Sequence, residues 1–229
     1  MAERALLTWS GGKDSAMALY EVKKAGSYEI SALLTTVTKD YDRVSMHGVR
    51  RRLLEQQTDS VGYPLEEVVI SKHASNEEYE ANMRQILEKY LNAGIRTVIF
   101  GDIFLEDVRK YREKNLPSIG MKAVFPIWKR NTVELAHTFI DLGFKAVVTC
   151  VDSKFLSRAF VGRVFDERFL SELPSNVDPC GENGEFHSFV YGGPIFRESV
   201  SFKLGRVVLR DSRFYFCDLI PVRKPKEPE

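Results

Sequence analysis

The sequence predicts an α/β protein: a parallel sheet with helices on both faces, then a smaller α+β part built on β-hairpins. Three observations predict it. Short apolar runs alternate with helical patterns five or six times over residues 1–152, which is the rhythm of βα units and of a sheet covered on both faces. The first apolar run ends in a glycine-rich stretch that leads directly into a helix. After about residue 153 the chain changes to strand-like runs joined by Gly or polar turns.

The elements follow in order. Residues 5–9 form an apolar run that stops at Ser10-Gly11-Gly12 and reads as a buried strand. Residues 14–24 carry Ala16, Leu19, Tyr20 and Lys23 at helical spacing, and Gly26 stops them. Residues 30–37 are a second strand, 44–61 a charged helix, and 66–70 a third strand. A helix at 76–92 is closed by Gly94, and a strand at 96–100 runs into Gly101-Asp102. Residues 106–115 are helical up to Pro117, and 122–127 form a strand. Asn131 caps a helix that reaches Leu142 and stops at Gly143, and 145–151 is a further strand. Beyond the boundary, 166–173 is a short helix and 186–191, 199–204, 206–210 and 213–220 are strands. Hairpin turns are expected at 203–206 and 210–213, and 223–229 reads as a solvated tail. The expected units are therefore 1–152, 153–222 and the tail.

Composition narrows the function classes. The chain has 229 residues, 44% of them apolar and 28% charged, which is ordinary globular usage. Lys and Arg number 33 against 32 Asp and Glu, so no global field invites nucleic acid or a membrane surface. Cys150, Cys180 and Cys217 are odd in number and widely spaced, which argues against a disulfide framework and a zinc site. A reducing, cytoplasmic setting is expected. No apolar run approaches the ~20 residues of a membrane span, and the first residues read as a strand, not a signal peptide.

The strongest local signal is Ser10-Gly11-Gly12-Lys13-Asp14-Ser15 between the first strand and the first helix. That position lies at the carboxyl end of the sheet, where open α/β folds bind ligands. The glycines permit close backbone approach, and the helix N-terminus offers amides and partial positive charge to an anion. Lys13 adds a full charge, Ser10 and Ser15 add hydroxyls, and Asp14 either caps the helix or holds Mg²⁺ opposite phosphates. Neither Gly-x-x-x-x-Gly-Lys-[Ser/Thr] nor Gly-x-Gly-x-x-Gly is present.

A second stretch runs Cys180-Gly181-Glu182-Asn183-Gly184-Glu185-Phe186-His187-Ser188. Glu182 and Glu185, set among glycines before a strand, have the chemistry to bind Mg²⁺, orient an amine or ammonia, or accept a proton. A turn with solvated acids is the plain alternative.

The hexapeptide at residues 10–15 resembles the pyrophosphate loop of the N-type ATP pyrophosphatases, which cleave ATP between the α and β phosphates and adenylate an oxygen. That resemblance implies a five-stranded parallel, Rossmann-like (HUP-like) sheet. The stretch around residues 180–190, with Gly193-Pro194-Ile195-Phe196, resembles a narrower group, the diphthine–ammonia ligase family and its bacterial relatives. Shorter matches lie at Met46-His47, Gly101, Arg109, Pro126-x-Trp128-x-Arg130, Leu142-Gly143-Phe144 and Gly162-Arg163 with Asp166.

The resemblance implies that ATP activates the carboxylate of diphthine, a modified histidine on translation elongation factor 2, and that ammonia displaces AMP. It assigns Ser10, Gly11, Gly12, Lys13, Asp14, Ser15, Thr35, Gly101 and Asp102 to ATP and pyrophosphate. Asp14 would take Mg²⁺, and Lys13, Asp14, Glu182 and Glu185 would be catalytic. His47, Arg109, Arg130, Arg163 and His187 are candidates for the acceptor or a phosphate. Taken alone, Asp102 reads equally as a cap for the next helix, His47 as a packed or solvated residue on a helix, and each arginine as a surface ion pair. Cys180 reads as a buried thiol.

The sequence departs from the ligases at Asn183, where they usually have Gly, at His187-Ser188, which stands for Glu-Thr, and in the run 38–43, all on the presumed acceptor side. Another carboxylate or small molecule, a cobalamin-linked role, or nucleotide binding without chemistry are the alternatives. A homodimer through the C-terminal strands is a further expectation.

Overall fold

The computed structural model describes residues 2–45 and 47–222. Met46 and the expected tail at 223–229 lie outside the described residues. The first sheet contains β1 (Glu3–Thr8), β2 (Tyr28–Thr38), β4 (Leu65–Ile70), β5 (Thr97–Ile99) and β6 (Lys122–Val124). They are parallel in the order β4-β2-β1-β5-β6, and the two-residue β3 (Arg43–Val44) adds antiparallel to the end of β2. Strand alternation sends Ala5, Leu7 and Leu33 to one face and Leu6, Ala32 and Leu34 to the other. The first face is covered by α1 (Lys13–Ala25), α2 (Arg51–Val61) and α5 (Thr132–Asp141). The second is covered by α3 (Asn76–Asn92) and the end of α4 (Glu106–Asn115).

Local chemistry sets the helix ends. Gly26 takes a left-handed φ of 63° and returns its amide to the Val22 carbonyl, closing α1. Ser75 and Asn131 accept the amides of Glu78 and Glu134 and cap α3 and α5.

The second sheet is antiparallel, in the order β8-β7-β10-β9. Its strands are β7 (Lys145–Asp152), β8 (Phe186–Gly192), β9 (Phe202–Arg210) and β10 (Phe214–Pro221), and the short α6 (Glu167–Ser171) precedes β8. β7 therefore does not continue the parallel alternation. It pairs with β8 and β10, and the second sheet begins upstream of residue 153.

Two other expectations are corrected. The helix read at 44–61 begins only at Arg51, because Val44 pairs with Val37 and the chain turns through Gly48 (φ 66°), against Phe216. Residues 202–210 form one strand with no turn at 203–206. Gly205 sits opposite an irregularity between Cys217 and Leu219, where an added Cβ would lie 3.1 Å from the Asp218 carbonyl oxygen. The turn expected at 210–213 is present, with Asp211 and Ser212 both at positive φ.

The two sheets are joined at the glycine-rich loop. The Val190 amide donates to the Gly11 carbonyl at 2.9 Å. Gln57 of α2 donates its amide group to the Gly11 carbonyl at 2.9 Å and also to the Val190 carbonyl, while it accepts the Trp9 indole N–H at 2.7 Å. A second clasp sets Arg43 and Arg50 on Asp218 of β10.

Gln57→Leu leaves the buried indole N–H without an acceptor and strips two carbonyls of a donor. We expect a loss of about 3 kcal/mol, seen as a lower urea midpoint at unchanged slope. A wild-type midpoint would remove Gln57 from the junction.

Candidate active site

The loop after β1 is shaped by contacts that exclude side chains. Gly11 has φ 77°, and a Cβ on it would lie 2.8 Å from Gln57 Oε1. A Cβ on Gly101 would lie 2.9 Å from the Asp14 carbonyl carbon, so the backbone after β5 packs on the first turn of α1. The Gly12 amide donates to Ser10 Oγ at 3.2 Å, and Ser15 Oγ donates to the Gly12 carbonyl at 2.9 Å. The Lys13 amide donates to Ser188 Oγ at 3.2 Å, across from β8. The first intrahelical bond runs from Ala16 to Gly12, so the amides of Asp14 and Ser15 precede the helical ladder.

Lys13 is only 4% exposed, and its ammonium lies 2.8 and 2.9 Å from the two Asp14 oxygens. Burial is the largest effect and opposes its charge, but Asp14 together with the other acidic groups around it holds the pKa above the ordinary lysine value. Burial pushes the Asp14 carboxyl up, and Lys13 offsets only part of that shift. The ammonium also lies 5.5 Å from the centre of the Phe186 ring.

The acidic loop is tight for a physical reason. Gly181 has φ 67°, and a Cβ there would be 2.8 Å from the Phe186 carbonyl oxygen. Glu182 Oε1 accepts the Ile103 amide at 2.7 Å and the Phe104 amide at 3.4 Å. Burial, then the nearby Asp14 charge, pushes its pKa up to about 7. Glu185 is 1% exposed and turns into the loop itself, where its Oε1 accepts from the Asp178 amide and the Asn183 side chain. Burial pushes the Cys180 thiol up to about 12, so it stays protonated at neutral pH.

A cavity of about 940 Å³ opens at the carboxyl ends of β1, β2 and β5. Ser10, Lys13, Asp14, Ser15, Thr35, Gly101, Asp102, His47, Glu182 and His187 all line it. Its inner wall is apolar, with Leu34, Met83, Leu87, Val98 and Phe100. Thr35 Oγ1 is buried there without a hydrogen-bond partner among the described residues.

His47 lies in the turn before α2, not on a helix, with its ring 4.6 Å from that of His187. Burial lowers the His47 pKa to about 4, and burial, His47 and Lys13 lower that of His187 well below the ordinary value. Both rings are neutral at pH 7.

Six expected residues are not on the cavity wall. Gly11 and Gly12 shape the loop from behind, and Glu185 belongs to the acidic loop's scaffold. Arg109 is paired with Glu113 and stacked on Trp128, and Arg130 is paired with Glu21. Arg163 is paired with Glu172.

The arginine that does line the cavity beside Asp102 is Arg112. Its Nε lies 2.7 Å from Asp102 Oδ2, and its guanidinium sits 4.0 Å from the centre of the Phe100 ring. Asp102 does not cap α4, whose N-cap position is Leu105. Arg112, Ser188 and Gln57 were not legible as site residues. Only Gln57 left a trace, a polar residue on the apolar stripe of Leu53, Leu54 and Val61.

Among the described residues no cluster of three or more His, Cys, Asp or Glu is placed to hold a metal. Mg²⁺ usually takes one or two carboxylates and completes its shell with phosphates and water. Asp14, part-exposed on the cavity wall, is a donor of that kind. Among the described residues no helix is long and apolar enough to cross a membrane.

Comparison with known proteins gives consistent results. The profile of the diphthamide synthase N-terminal domain matches residues 3–123, and that of the C-terminal domain matches residues 131–217. A diphthine–ammonia ligase from Schizosaccharomyces pombe is 23% identical over 221 residues, covering 88% of this chain and 35% of the relative. A human diphthine–ammonia ligase is 25% identical over 114 residues, covering 47% of this chain and 43% of the relative. The matched segments thus span 35% and 43% of the length of these curated relatives. With both domain profiles matched in order along a fold that brings the two motifs to one cavity, the chain belongs to the diphthamide synthase family, that of the diphthine–ammonia ligases.

Proposed function

We propose that the chain is an ATP-dependent amide ligase. A carboxylate oxygen attacks the α-phosphorus of ATP and pyrophosphate leaves. Ammonia then attacks the carbonyl of the acyl adenylate, and AMP leaves. The observation that carries this reading is the buried Lys13 at the N-terminus of α1, sharing one cavity with Glu182. The relatives' name supplies the acceptor, diphthine, and the family resemblance places it on translation elongation factor 2.

The residues divide the work. Gly11 and Gly12 keep the loop backbone clear of side chains, and Ser10, Ser15 and the first-turn amides of α1 receive the departing pyrophosphate. Lys13 supplies a charge already in place before reaction. The apolar wall of Leu34, Val98 and Phe100 accommodates the base, and Thr35 Oγ1 gains the partner it lacks. Asp14 would hold Mg²⁺, which neutralises phosphate charge when bound. Glu182, with one oxygen fixed by two amides, takes a proton from ammonium or from the attacking nitrogen.

A second reading keeps the chemistry and changes the acceptor. His187 favours it, because a neutral imidazole stands where the ligases carry a carboxylate. Ser188 does not, since it retains the hydroxyl that accepts the Lys13 amide.

The deciding assay incubates the chain with ATP, Mg²⁺ and ammonium, with and without diphthine-bearing elongation factor 2, and resolves AMP from ADP. AMP dependent on the factor supports the diphthine acceptor. AMP independent of it supports another acceptor, and ADP overturns the pyrophosphate-loop assignment.

Lys13→Met keeps the stem and removes the charge. AMP formation should fall by at least about a hundredfold with the circular dichroism spectrum unchanged, and an unchanged rate would displace Lys13 from the reaction.

Glu182 must be ionised to take a proton, so amide formation, plotted against free ammonia, should rise as pH climbs through about 7. Glu182→Gln should flatten that limb, and a limb that survives the substitution assigns the proton transfer elsewhere.

A further inference from the structure

β9 is the outer strand of the second sheet and pairs only with β10 among the described residues. Its nine residues contain no proline and no acid. Leu204 and Leu209 are 55% and 50% exposed, and Val208 40%. A long edge with exposed apolar side chains is a template for a further strand, and the irregularity opposite Asp218 interrupts it only at Gly205. Its charges are Lys203, Arg206 and Arg210, all exposed and none in an ion pair among the described residues.

We propose that the outer edge of β9 is a docking strand for an extended, acidic segment of a partner protein. The partner's backbone would complete the free ladder, and its alternate carboxylates would meet Lys203, Arg206 and Arg210. The charge pattern disfavours a second copy of this chain. Arg206 is the middle residue of Phe202–Arg210, so antiparallel pairing of two copies about the strand centre sets Arg206 against Arg206. Like charges directly opposite each other destabilise a strand pair, and an acidic strand turns the same positions into attractions.

The edge is mechanically close to the cavity. β9 is bonded to β10, whose Asp218 and Phe216 hold the turn that carries His47. The Arg210 guanidinium also lies over the Tyr41 ring at 5.4 Å, just beyond the cavity end of β2.

The probe is a capped eight-residue peptide alternating Glu with Val, beside its Lys counterpart. Binding is followed by anisotropy, and its location by amide hydrogen exchange on the intact chain. The acidic peptide should bind, slow exchange along β9 and weaken with added salt, while the Lys peptide should not bind. Lys203→Glu with Arg206→Glu should cut acidic-peptide affinity by at least about tenfold and admit the Lys peptide. Both positions are exposed, and unchanged circular dichroism shows that the variant folds. Three results would overturn the proposal. They are binding without protection of β9, binding indifferent to the charge reversal, and a dimer in sedimentation that disappears with Leu204→Asp.

Discussion

One carbonyl, that of Gly11, organises the molecule. It accepts two hydrogen bonds, from the Val190 amide of β8 and from Gln57 of α2. Gly11 can present it because its φ of 77° turns the backbone and because no side chain stands between it and Gln57. Through this contact the antiparallel sheet is laid across the mouth of the parallel one. Ser188 is carried to the Lys13 amide, and the acidic loop just ahead of β8 is carried to the cavity. An open α/β sheet offers a binding crevice at its carboxyl edge in any case. Here β8 and the loop ahead of it close one side of that crevice and supply Glu182, His187 and Ser188 to its lining.

This closure has an electrostatic consequence. Lys13 and Asp14 are adjacent, and each neutralises the other, which limits the penalty of burying two charges. Burial, helped by Lys13, keeps the histidines neutral, and burial, helped by Asp14, holds Glu182 near half-ionisation at neutral pH. The cavity therefore sets a buried cation, Lys13, beside a carboxyl that titrates at about 7, two neutral imidazoles and an apolar inner wall. A fixed positive charge in a dry site acts on developing negative charge without reorganising, which is the physical basis of the proposed chemistry. The same reasoning separates the arginines. Arg109, Arg130 and Arg163 are spent on local carboxylates, whereas Arg112, held by Asp102 and stacked on Phe100, remains on the wall.

The elements the sequence made legible were those governed by short-range rules. The glycine-rich loop opening α1, the Asn131 cap and the exact span of α3 follow from turn residues, caps and helical spacing. The misread elements depended on distant partners. Val44 joined a strand because Val37 was there to pair with it, and Gly205 stayed within a strand because Asp218 faced it closely. β7 is as apolar as a parallel strand, since it too is buried on both faces, and only its neighbours reveal its direction.

By itself the sequence determined the α/β class, the anion-binding loop and the acidic loop, because each is encoded by residues a few positions apart. Only the tertiary structure decided that Glu182 faces the cavity while Glu185 faces its own loop, and that Arg112 lines the wall while Arg109 does not. The members of each pair lie three residues apart, and their surroundings come from chain segments far away in sequence. Gln57, which ties the loop to β8 across 133 residues, shows locally only as a polar residue on an apolar stripe, because a hydrogen bond of that span exists only after both sheets have formed.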